Sequence, residues 1–151
     1  LNADTSNNLH TLLGFAELKD LVPVQPHGVL GTTKAYEEAH QEELHRLTRG
    51  MIKASRALND DFENFRKVYD HHVTVEVAEK DVHAIWQKER ESGGFAVNGE
   101  LTSGHWQSQM ELFYELNPDL AKITRDDVIA EIFVQQALEE LGVLSGGDYP
   151  G

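Results

Sequence analysis

The sequence predicts a mostly α fold with one or two short β-strands. Three observations predict it. Apolar residues recur at three- and four-residue spacing through most of the 151-residue chain, which is the period of an amphipathic helix. Strong breakers such as Pro23, Pro26, Gly93, Gly94 and Pro118 fall between the periodic runs, so each run has an end. Only two stretches, around 28–33 and 95–98, lack the helical period and read as extended. A chain of this length suits one compact domain with a real core.

Residues 1–11 are polar, and Leu12, Leu13, Phe15, Leu18, Leu21 and Val22 then form a short helix-like cluster that ends at Pro23. "VPVQPHG" (22–28) is a linker or crossover, because each proline pushes the residue before it toward extended geometry. "VLGTT" (29–33) reads as a strand on its β-branched threonines. The strongest helix follows, with Leu44, Leu47, Met51, Ile52, Ala54, Ser55 and Leu58 on its apolar side. Glu42, Arg46, Arg49, Lys53 and Arg56 are expected to face away. Asn59 or Asp60 is the expected cap of a second helix, whose face is Phe62, Phe65 and Tyr69. A third carries Ala78, Val82, Ile85 and Trp86 and stops at Ser92-Gly93.

"GGFAVNGELTSGHW" (93–106) interrupts the helices, and its Phe95–Val97 lie between glycines like a short buried strand. A fourth helix opens at Thr102 with Trp106, Met110, Phe113 and Leu116, and Asn117-Pro118 closes it. Thr124 and Asp127 have capping-box spacing. The last helix is expected to carry Val128, Ile132, Phe133, Gln136, Ala137 and Leu141 and to end at Gly142, leaving "SGGDYPG" as a frayed tail.

Charge and composition exclude several classes. Thirteen basic residues against 26 acidic ones give a net charge of −13. A polyanion would be approached against repulsion, so nucleic acid is not an expected partner. Without cysteine there is no disulfide, thiolate zinc site or thiol nucleophile. No stretch reaches the ~18 apolar residues of a membrane span, and the first ten residues do not read as a signal peptide.

The eight histidines invite a metal site. However, His40 and His45 are five apart, His71-His72 are adjacent, and no HExxH occurs, so surface histidines are the plainer reading. No GxSxG elbow or phosphate loop is present, and Ser92 and Ser103 sit where helix caps are expected. Trp86, Trp106 and Phe95 form either a ligand-binding aromatic surface or core. Helical register with aliphatic neighbours favours core.

Two motif groups point further. The first is "PHGVLGTTKAYEEAHQEELHRLTRGMIKASRALNDDFENFRKVY", a strand, a short helix over Lys34–Glu38, a long helix and an Asn59-Asp60-Asp61 helix start. The second joins Gly93-Gly94-Phe95, Leu101, Trp106-Gln107 and Gln109-Met110 to Asp126-Asp127-Val128-Ile129 and "FVQQALEELG". In order and spacing, Gly28 to Gly142 resembles the C-terminal part of solute-binding proteins of ABC importers, in the nitrate/sulfonate/taurine group with its thiamine-precursor-binding relatives.

The resemblance implies the C-terminal portion of the α/β type II periplasmic-binding-protein fold, in a chain about twice this long. Residues 1–27 would be the end of the second lobe and the hinge, 28–142 the C-terminal part of the first lobe, and 143–151 a flexible tail. It implies a substrate-binding component for a small organic anion or a nitrogen or sulfur compound, partnered by an ABC permease. It also implies a periplasmic or extracytoplasmic location, with any signal outside this chain. Most ligand contacts would lie in the absent half. Pro26, His27 and Gly28 on the return strand are the candidate ligand-binding residues, with His27 facing an oxyanion; the plainer reading of His27 is an exposed loop residue. No catalytic residue, metal or cofactor is expected. An enzyme on the same scaffold, resembling pyrimidine-precursor synthases or a desulfinase, would want a cysteine or a histidine-metal cluster. A stand-alone helical interaction domain is the other alternative. Apolar stripes at 44–58, 78–91 and 105–116 would lack part of their cover, which implies a homodimer of this chain.

Overall fold

Where a strand was expected, residues 29–33 lead into a helix cap. The computed structural model describes residues 29–99, 106–107, 110, 113–114, 117–119 and 123–145. Thr33 is extended (φ −83°, ψ 153°), and its hydroxyl accepts a hydrogen bond from the Tyr36 N–H at 3.2 Å. That satisfies one of the orphan donors of the first turn of α1, Lys34–Ala39. The extended backbone read from the threonines is therefore present, but as an N-cap. Among the described residues there is no strand to pair with it, and those residues are 70% helical. None of their helices is long and apolar enough to cross a membrane.

The chain divides into two compact units where its length alone suggested one domain. Leu1–Leu30 with Leu101–Val128 form the first, and Gly31–Glu100 with Ile129–Gly151 the second. In the first unit, one half of the expected capping box is present. The Asp127 carboxylate accepts from the Thr124 N–H at 2.8 Å and from its hydroxyl at 2.7 Å, at the start of a single-turn helix, Arg125–Val128. Asn117 ends the preceding helical stretch, its N–H bonded to the Phe113 carbonyl at 2.8 Å. The predicted start of that stretch at Thr102 lies outside the described residues.

The second unit is built on α2, Gln41–Asp60. Asp61, one residue beyond the predicted cap, ends it and caps α3 (Phe62–His72) by accepting from the Glu63 N–H at 2.8 Å. Then comes α4, Glu79–Glu91, with Glu79 and Asp81 in its first turn and Lys88 and Arg90 in its last. Both charge sets oppose the helix macrodipole favourably. Val82 and Trp86 bury the inner face of α4. The Trp86 indole N–H donates to the Leu58 carbonyl of α2 at 2.7 Å, and Phe62 packs 5.5 Å from the ring. The tryptophan is core, with its polar edge satisfied.

The helix that ends this unit, Ile132–Leu141, begins later than expected. Val128 belongs to the single turn of the other unit, and Ile129 and Ala130 are not helical. Calling the single turn α5 and this last helix α6, α2 packs mainly against α6. The two run in the same direction: His45 and Arg49 approach Glu140, and Arg56 reaches Leu141 and Gly142. Ile52, Ala137 and Leu138 form the core between them, with Val134 and Leu141 packed around it.

The stripe predicted for α2 is rotated. Ile52 is 1% exposed, but Leu47 and Met51, expected beside it, are 51% and 44% exposed. The buried side is centred on Ile52 and flanked by Arg49 and Arg56, which sequence reasoning placed in solvent. Arginine can lie along such a border because its stem packs while its guanidinium finds polar partners.

Candidate functional site

Polar side chains converge at two places in the second unit. The first is the segment after α4. Gly93 has φ 73°, and its N–H and that of Gly94 bond to the carbonyls of Arg90 (3.2 Å) and Glu89 (2.7 Å). This is a Schellman stop, which needs a residue in the left-handed region. Residues 95–98, expected as a strand, instead form two tight turns. The Val97 N–H bonds to the Phe95 carbonyl at 2.8 Å and the Gly99 N–H to that of Ala96 at 3.0 Å. A strand sends its backbone bonds to a neighbour, and here they close on themselves. Val97 and Asn98 are nonetheless buried, at 6% and 3% exposure.

Asn98 and Arg56 hold this turn in place. The Asn98 amide accepts from the Leu144 N–H and donates to the Leu144 carbonyl, both at 3.1 Å. Arg56 donates to Val97 O (2.8 Å), Asn98 Oδ1 (3.3 Å), Leu141 O (3.1 Å) and Gly142 O (2.6 Å). Its charge sits at the C-terminal end of α6, where carbonyls lack helical partners and a cation is favoured. Leu144, in the expected tail, is thus tied to the turn. Every polar group of this cluster is taken up by another part of the fold, so its chemistry is structural.

The second place is a recess of about 240 Å³, lined by Gln41, Glu42 and His45 of α2 and by Ile132, Phe133 and Gln136 of α6. The side chain of His45 is 20% exposed, and its Nε2 lies 3.4 Å from Glu140 Oε1. That contact falls short of hydrogen-bond geometry and leaves Nε2 buried without a partner. Arg49 donates to Glu140 Oε2 at 2.6 Å. This bond, aided by the charges of Arg49, His45 and Lys53, holds the Glu140 carboxyl below its ordinary range against a smaller opposing effect of burial.

Because α2 and α6 run parallel, the N-terminal turns of both border the recess. Neither has a side-chain cap, since His40 and Glu131 at the cap positions make no such bond. Unpaired N–H groups and the macrodipole give both ends partial positive character, which Glu42 and Glu43 offset on α2. Two amides, an imidazole, a carboxylate and an aromatic ring offer hydrogen bonding and apolar contact to a small polar molecule. The lining contains no serine, threonine or lysine nucleophile.

The candidate ligand-binding residues Pro26, His27 and Gly28 lie outside the described residues. Sequence reasoning placed His45 on the surface and Gln136 on the apolar face of its helix, and brought neither to a site. The available signal was a polar Gln136 inside an otherwise apolar stripe. Among the described residues, His40 stacks on Tyr36 with ring centroids 4.0 Å apart, and His83 packs against Phe62 at 4.7 Å. No three metal-ligating side chains come together among them. Compared with known proteins, the chain matches no family model, no curated protein and no solved structure.

Proposed function

We propose that this chain is the C-terminal part of a non-catalytic solute receptor, the binding component of an ABC importer for a small organic anion or a nitrogen or sulfur compound. The observation that carries the reading is the order of elements. A short helix at Lys34–Ala39, a long helix, an acidic start at Asp61 and a terminal helix stopped at Gly142 come in the order that the resemblance calls for, while the extended pieces it calls for at 29–33 and 95–98 are a helix cap and a turn. In this reading Pro26, His27 and Gly28 face the solute, the rest of the cleft comes from residues upstream, and the partner is a permease reached outside the cytoplasm.

Calorimetry tests it with two samples, this chain and a product extended upstream from the same gene. Taurine, short alkanesulfonates and nitrate are titrated into each. Tight binding by the extended product and a flat response from this chain is the expected result, since half a cleft buries too little of a ligand. Tight binding by this chain alone, or no binding by either, overturns the proposal.

Two observations favour a second reading, a helical interaction module. Residues 29–33 do not form the strand that the receptor fold calls for, and Leu47 and Met51 leave an apolar strip of α2 half exposed. Pull-down of a protein partner by the extended product, with no response to any solute, would favour this reading.

A further inference from the structure

We draw no further inference here: the strongest candidate, the half-exposed apolar strip of α2 through Leu47 and Met51, carries nothing because nothing in the structure shows what covers it.

Discussion

Replacing Gly99 with alanine should destabilise the protein through two separable effects. Gly99 has φ +68°, so any Cβ there meets the left-handed penalty of about 1–2 kcal/mol. Alanine regains up to about 1 kcal/mol by restricting the unfolded chain. The added Cβ would also lie 2.8 Å from Ile52 Cγ1 and 3.0 Å from its Cδ1. Ile52 is 1% exposed and wedged against Ala137 and Leu138, so it has no free space to yield into. Overpacking of this kind costs about 1–3 kcal/mol. Urea unfolding followed by circular dichroism should place Gly99→Ala about 2–4 kcal/mol below the parent protein. Ile52→Ala is itself costly, but combined with Gly99→Ala the two losses should add to less than their sum, because the clashing atoms are gone. Full additivity in the double variant would refute the packing of this turn on α2.

Arg56→Met should cost about 2–4 kcal/mol, since it strips partners from Val97, Leu141 and Gly142 together. Arg56→Lys should recover little of that loss in the same urea assay, because an ammonium cannot reproduce the planar fork; full recovery would mean that only charge matters. The lowered Glu140 carboxyl predicts a pH effect of definite sign. Its pairing with Arg49 contributes stability above the ordinary value of 4.5 and loses it as pH falls through the lower folded value. Glu140→Gln should therefore flatten the decline in the urea midpoint below about pH 4.5, and an unchanged pH profile would count against the pair. Both partners are partly exposed, so 1 M salt should shrink the effect.

Local signals were legible in the sequence, and long-range polar ones were not. The end of α4 follows from Ser92 and Gly93, and the start of α3 lies at Asp61, one residue beyond the expected cap, because cap chemistry acts within a few residues. The Thr124–Asp127 box is legible for the same reason. The 29–33 and 95–98 segments misled because extended backbone was equated with strand. A strand needs a neighbour, and neither segment has one among the described residues; each spends its hydrogen bonds on a cap or a turn. For α2, periodicity showed a broad apolar side but not its centre. Which edge is buried depends on α6, and nothing within α2 marks Arg56 as the residue that grips Gly142. Asn98 shows the same limit. Asn98-Gly99 marks a turn, but the pairing of its amide with Leu144 lies 46 positions away. The recess is not legible in the sequence, because Gln41, His45 and Gln136 meet only once α2 and α6 lie side by side.

The parallel pairing of α2 and α6 also sets an order of events during synthesis. Arg49 and Glu140 are 91 positions apart, and the chain between them visits the other unit before returning at Ile129. Closing a loop of that length costs about 4 kcal/mol of chain entropy. On the ribosome, α2, α3 and α4 emerge long before α6, and through that interval the Ile52 side of α2 lacks Ala137 and Leu138. A chain ended at Val128 reproduces this state. It should bind a hydrophobic dye strongly, and a peptide spanning residues 129–145 should suppress the signal by docking in the place of α6. If the truncated chain binds no more dye than the full one, α6 is not the cover that completes this core.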